Sequence, residues 1–310
     1  TGIGASTAMV ARLGVARGGA RRVAGLLAVP APRHGTTATI SQGDGPGRAR
    51  RNATVPHLLA PDGAVPDAPP GALTMRGIAV RRGGQDVLRD LDLTIPGGAV
   101  VALVGRSGAG KSTLAELAGR LADPTEGSVS LDGTDLRALT RGTLREAVVY
   151  AFERPHLFGA TPREAIGFGP AVPPDEDIRA AASAAQAAQF IERLPLGYDT
   201  PLDEAPLSGG EVQRLGLARA FAHASTARVL VFDDATSSLD TITEMLVSRA
   251  MTERLRGRTR LIVAHRAATA ARADLAAWLD EGRIRAIAPH DKLWRDPDYR
   301  SLWCAPDGRT

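Results

Sequence analysis

From Leu73 onward the sequence predicts an α/β domain: a mainly parallel sheet core with crossover helices, an antiparallel β layer beside it, and a helical subdomain. Three observations carry that expectation. Short apolar runs alternate with helical patterns along this stretch. Several of the runs are continuously apolar and end in glycine or aspartate, as strands buried on both faces do where they feed a loop. An alanine-rich helical patch, Asp175 to Arg193, interrupts the alternation.

Taken in order, LTMRGIAV from Leu73 and VLRDLDLTI from Val87 read as strands of the antiparallel layer. AVVALVG, ending at Gly105, reads as a buried parallel strand, and a helix is expected from Gly110 to Leu121. GSVSLDG and AVVYAF are further strands. RVLVFDD and TRLIVAH complete the expected set of buried strands, with helices at Gly210 to His223 and Thr241 to Leu255. No internal repeat is visible.

Upstream of Leu73 the composition changes. Gly2 to Leu27 is rich in Ala, Gly and Arg, with Val10, Leu13, Val23, Leu26 and Leu27 near helical spacing, which predicts a marginal helix. Val29 to Gly71 is rich in Pro, Gly, Asp and Thr without a period, the composition of a linker. The expected organisation is a flexible basic tail over 1–72, following a transmembrane domain that precedes Thr1, and one domain over 73–310.

Charge follows the same division. The first 70 residues hold eight arginines and three aspartates, so the chain's formal +4 belongs to the tail, and the remainder lacks a basic footprint for nucleic acid. The single cysteine, Cys304, cannot form an internal disulfide, and no Cys/His cluster has zinc-ligand spacing. The best membrane candidate, VAGLLAVPAP, falls short of the roughly 20 apolar residues that cross a bilayer and contains Pro30 and Pro32. Arg21 and Arg22 before that run raise an export signal as an alternative.

The motif with the clearest chemistry is GRSGAGKST: Gly105, Arg106, Ser107, Gly108, Ala109, Gly110, Lys111, Ser112 and Thr113. It fits G-x-x-x-x-G-K-[ST] between a strand and a helix, the P-loop context. The glycines let successive N–H groups face a phosphate, and the helix start adds partial positive charge. Lys111 is expected on the β- and γ-phosphates and the Ser112 hydroxyl on Mg²⁺; the bland alternative is a glycine-rich turn beside a surface lysine. A P-loop needs a carboxylate at a neighbouring strand end, because Mg²⁺ favours hard oxygen ligands. VLVFDD supplies Asp233 for the metal and Asp234 facing the attacking water, although alone two such aspartates could be a solvated turn.

PLSGGEVQRLGLARA, Pro206 to Ala220, closely resembles the signature of ABC ATPases, with LSGGE where LSGGQ is usual. Leu207, Ser208, Gly209, Gly210 and Glu211 place a hydroxyl and backbone N–H groups at a helix start, a second anion cradle, or in the bland reading an ordinary N-cap. The resemblance implies the P-loop NTPase, ABC-ATPase fold with an α-helical signature subdomain. It also implies head-to-tail pairing with a second nucleotide-binding domain, homo- or heterodimeric, each ATP lying between one subunit's P-loop and the other's signature. TSSLD, with Ser238, Leu239 and Asp240, looks like the D-loop that touches the partner, and IVAHR places His265 as the switch histidine of the γ-phosphate. LPLGYDTPLDEA ahead of the signature and ARRVAGLLAVPAP in the tail resemble exporters, implying an attached or partner permease domain and work at the cytoplasmic face of the membrane.

Three positions depart from the family pattern. Glu153, in YAFERPHLFG, stands at the glutamine loop and is an expected third oxygen ligand for Mg²⁺. Arg82 stands at the aromatic position that stacks on adenine; a guanidinium can also stack, or be a surface arginine. Asp234 replaces the catalytic glutamate, which implies slow hydrolysis. The expected function is thus an ATP-hydrolysing transport subunit that uses ATP and Mg²⁺. Its rivals are a degenerate, weakly hydrolysing partner in a heterodimer and a soluble non-transport ABC ATPase.

Overall fold

The computed structural model describes residues 70–304. The marginal helix expected over Gly2 to Leu27, and all but the last two residues of the expected linker, lie outside that range. Gly71 and Ala72 are tied into the domain, each donating its backbone N–H to Asp132 Oδ1, at 2.7 and 2.8 Å.

The chain begins with β1 (Leu73–Arg82) and β2 (Gln85–Ile95), an antiparallel hairpin, then β3 (Val100–Val104) and α1 (Lys111–Ala118). β4 (Glu126–Leu131) and the short β5 (Thr134–Asp135) return to the hairpin, giving a four-stranded layer in the order β2-β1-β4-β5. α2 (Arg141–Ala147) leads into β6 (Val148–Phe152). A helical layer follows: α3 (Pro162–Gly167), α4 (Asp175–Ala184), α5 (Ala188–Ile191) and α6 (Gly209–Ala222). β7 (Val229–Asp233), α7 (Thr241–Arg254), β8 (Thr259–Val263) and α8 (Ala267–Ala271) restore the α/β alternation. β9 (Leu275–Asp280), β10 (Arg283–Ala288), α9 (His290–Leu293) and α10 (Pro297–Ser301) complete the described chain.

The larger sheet has the order β10-β9-β3-β8-β7-β6, parallel except for the β9–β10 pair. β3 is buried along its whole length, which explains its uninterrupted apolar sequence. In register, Leu103 lies opposite Val263, Val263 opposite Asp233, and Asp233 opposite Phe152. The loops after β3, β8, β7 and β6 therefore leave the sheet side by side at its carboxyl edge. Ligands of open α/β sheets bind at such an edge.

Two elements differ from the sequence expectation. β9 is a further buried strand, with Ala276, Ala277, Trp278 and Leu279 at most 2% exposed. Its small alanines dilute the apolar signal, and its burial comes from lying between β3 and β10. The single helix expected over Asp175 to Arg193 is broken between α4 and α5, where Gln186 adopts a left-handed φ of 57°. Alanines favour a helix without forbidding a break, and here tertiary contacts decide: Arg214 donates to the Gln186 carbonyl at 2.9 Å and lies over the Phe190 ring.

β9 also shapes the loop after β3. A Cβ on Gly105 would lie 2.3 Å from the Leu279 carbonyl oxygen, and the residue has φ 153°, so glycine is required by both space and conformation. Gly108 and Gly110, at φ 78° and 99°, complete the bend into α1.

Candidate functional site

The turn from Gly105 to Gly110 delivers Lys111 as the first residue of α1. Lys111 is 6% exposed, and its ammonium donates to the carbonyls of Gly105 and Arg106 at 2.9 and 3.0 Å, so the side chain curls over its own loop. Burial pushes its pKa down, against the pull of Asp234 and Asp233, which raise it. A polyanion lying against the loop would favour the cationic form.

Ser112 Oγ donates to Asp233 Oδ1 at 3.1 Å, joining α1 to the end of β7. Burial raises the Asp233 pKa, the Ser112 hydrogen bond lowers it, and the neighbouring Asp234 raises it again, for a net upward shift. The pair offers two hard oxygen donors in a place where a divalent cation would stabilise the carboxylate, so the donor set fits Mg²⁺. Among the described residues no group of three or more His, Cys, Asp or Glu side chains forms a preformed metal site.

Asp234 follows at φ 53°, a left-handed conformation that is uncommon outside glycine but tolerated by aspartate. Its Oδ2 lies 3.0 Å from Nε2 of His265, two residues beyond the parallel strand β8. The imidazole therefore stands beside the carboxylate, close enough for the two to interact electrostatically. Beside the pair opens a cleft of about 410 Å³ whose walls include Glu153, Glu244 and Arg266. Arg266 and Glu244 form an ion pair joining the residue after His265 to α7. Glu153 shares the cleft with Asp234 and His265 and is exposed. Arg82, at the end of β1, pairs with Glu116 of α1.

The LSGGE turn lies elsewhere on the surface. Ser208 and Gly209 are exposed and Gly210 is half-buried. Ser208 is the N-cap of α6 in a capping box: its hydroxyl accepts weakly from the Glu211 N–H at 3.4 Å, and Glu211 Oε2 accepts from both the Ser208 N–H and hydroxyl at 2.8 Å. Burial would raise the Glu211 pKa, but these bonds and the Arg214 charge outweigh it and hold the carboxyl low. A fixed negative charge thus stands at the mouth of a helix start that otherwise suits an anion. Glu211→Gln keeps a side chain that can serve the capping box and removes the charge. We expect it to drive ATP-dependent association at an ATP concentration about two- to fivefold lower, measured by sedimentation.

The D-loop residues lie against this turn. A carbon on Gly210 would be 3.6 Å from the Ser238 carbonyl oxygen, Leu239 is buried, and Asp240 caps α7 by accepting from the N–H groups of Ile242 and Thr243 at 3.0 Å. One further residue, not singled out by the sequence, sits at their centre. Gln213 is 0% exposed and contacts the loop after β6, Asp234 and the D-loop at once. The available signal was a polar residue on the buried face of a helix, flanked by Leu215 and Leu217.

The profile of the ABC transporter family matches residues 88–237. The chain is 55% identical over 241 residues to the ABC transporter ATP-binding protein RamA of Streptomyces coelicolor, covering 78% of this chain and 38% of that protein. It is 40% identical over 243 residues to the ATP-dependent lipid A-core flippase of Chromohalobacter salexigens, covering 77% and 42%. A solved bacterial Atm1-family ABC exporter with ATP bound superimposes with a TM-score of 0.71 at 36% identity, over 80% of this chain and 45% of that one. The chain spans less than half the length of these relatives. Through this ATP-binding domain, homologous to those of exporter-type proteins, the chain belongs to the ABC transporter family.

Proposed function

We propose that this chain binds ATP with Mg²⁺ at its P-loop, closes that site with the signature turn of a second ABC nucleotide-binding domain, hydrolyses the ATP, and thereby drives an exporter's membrane domain. The observation that carries this reading is the exposure of Ser208 and Gly209 at the start of a capped helix, directed away from their own core. Glu211 already occupies the Ser208 N–H and hydroxyl, and the rest of the exposed helix start faces outward, where the phosphates of another subunit's nucleotide would reach it.

In this reading the backbone N–H groups from Gly105 to Thr113 and the Lys111 ammonium hold the β- and γ-phosphates. Ser112 and Asp233 hold the cation, with Glu153 as a further oxygen donor. Mg²⁺ held there would supply positive charge that offsets the charge growing on the leaving ADP. Asp234 accepts a hydrogen bond from the attacking water, whose oxygen forms the new bond to the γ-phosphorus as the bond to the β-phosphate oxygen breaks. His265, beside Asp234, would present a ring N–H to the γ-phosphate and stabilise the charge that develops there. Arg82 lies against the adenine while paired with Glu116.

Coupling to a membrane domain rests on the exporter-type relatives and on an apolar patch of the helical layer. Phe158 and Phe168 stack with centroids 4.6 Å apart while about half exposed, and Val172 is 81% exposed nearby in sequence. Such patches mark docking sites. Among the described residues no helix is long and apolar enough to cross a membrane. From the exporter-type relatives, the working position in this reading is the cytoplasmic face, beside a permease domain fused or separate.

A second reading, a weakly hydrolysing partner in a heterodimer, is favoured by the shortness of Asp234, whose carboxylate lies 3.0 Å from His265. Loss of one methylene withdraws the carboxylate by about 1 Å, a displacement worth on the order of 100-fold in rate. The test is Asp234→Glu in the full chain, with phosphate release measured at saturating ATP. On that second reading turnover rises at least about tenfold; equal or lower turnover contradicts the handicap.

A further inference from the structure

We propose that Gln213 is a positioning residue that ties the signature turn, which would hold a neighbour's ATP, to the water-activating carboxylate of its own subunit, so that the two sites of a dimer act as a pair. The inference rests on the function proposed above and adds to it a route between the sites.

Gln213 lies one turn into α6, at 0% exposure. Its Nε2 is 3.2 Å from the Glu153 carbonyl oxygen, 3.1 Å from the Asp234 carbonyl oxygen and 3.3 Å from Ser237 Oγ. Its Oε1 accepts from the Ser238 N–H at 3.2 Å. One amide therefore joins the signature helix to the loop after β6, the residue after β7 and the D-loop, which are 21 to 60 residues away in sequence. Every one of these bonds goes to a loop of the site. An amide NH₂ has two protons, and three acceptors share them here, so the bonds can exchange as the loops shift. A merely structural glutamine would need no such surplus.

The consequence for catalysis runs through Asp234. Its left-handed backbone aims the carboxylate at His265, and Gln213 holds the carbonyl of that same residue. A ligand seated on Ser208 to Gly210 fixes the first turn of α6, and the amide one turn on passes that restraint to Asp234 and to Ser238. Side-chain amides in buried networks are suited to this, because leaving any member unpaired is costly and the arrangement shifts as a unit.

The test uses the full chain and Gln213→Met, which keeps side-chain length and removes all four bonds. Turnover against ATP concentration is measured together with ATP-driven dimerisation. We expect kcat to fall by about 10- to 100-fold and the Hill coefficient to drop to that of independent sites, with the ATP concentration for half-dimerisation changed by less than about twofold. Turnover and cooperativity equal to the parent's overturn the proposal. If Gln213→Met loses cooperative melting, Ser237→Ala carries the test: a kcat lower by about threefold at unchanged dimerisation supports the link, and unaltered kinetics overturn it. A parent that fails to dimerise contradicts the proposed function instead. Exchange of the Ser238 amide proton then decides for Gln213, a roughly tenfold faster rate in Gln213→Met supporting the link and an equal rate overturning it.

Discussion

Lys111→Ala is expected to lower ATP turnover by about 10²- to 10³-fold, the loss that follows removal of one well-placed donor from a developing oxyanion. The ammonium is buried and held over the loop by the Gly105 and Arg106 carbonyls, so it meets the phosphates without being recruited from solvent. Its pKa is pushed down by burial, so part of the cost of keeping it charged is recovered only when phosphate oxygens arrive. Binding should therefore weaken along with turnover. Thermal melting with and without ATP and Mg²⁺ checks this: the parent melts higher with nucleotide, and Lys111→Ala shows little of that rise. A variant that keeps both the rise and the turnover contradicts the role given to Lys111.

Asp234→Asn should separate association from chemistry. The amide has nearly the size and shape of the carboxylate, so the packing beside His265 is retained while the negative charge is lost. Turnover is expected to fall by about 10²- to 10⁴-fold, the usual contribution of a placed general base, while ATP-driven dimers persist and accumulate. Phosphate release and sedimentation in the same samples check the two halves of this expectation. A fall of less than about threefold would favour the weakly hydrolysing reading, in which Asp234 contributes little to begin with.

Much of the phosphate site was legible because its chemistry needs contiguous residues. Gly105, Gly108 and Gly110 are fixed by backbone conformation, and the lysine and serine must follow directly at the helix start. The left-handed Gly105 also answers to a neighbour no local pattern reveals, the Leu279 carbonyl on β9. β9 itself was missed because Ala276 and Ala277 are small and its burial is set by the strands on either side. The break at Gln186 was hidden for a related reason, since alanine-rich sequence leaves the stopping point to Arg214 and its contacts. Asp234 and His265 were each found from their own motifs, whereas their 3.0 Å approach follows from β7 and β8 being adjacent. Gln213 was the hardest to see. Its partners are brought together only by the packing of α6 against the sheet edge, and its glutamine reads as one more polar residue of a helix.

Departures at single positions have distinct physical weights. Glu211 keeps the cap and adds a charge to a cradle meant for an anion. Arg82 is engaged with Glu116, so its planar head is oriented before any base arrives. Asp234 is the departure that reaches the reacting atoms.

The most direct measurement of the account mixes two inactive full-length variants, Lys111→Ala and Gly209→Asp. Gly209 has nothing within 4 Å of an added Cβ, so the second variant disturbs the signature turn without straining its own subunit. If each ATP lies between the P-loop of one copy and the signature of another, the mixed pair contains one site with both halves intact, and ATP turnover returns on mixing. Turnover that stays absent in mixtures shown to contain the mixed dimer would mean that each subunit completes its own site, and would contradict the shared arrangement.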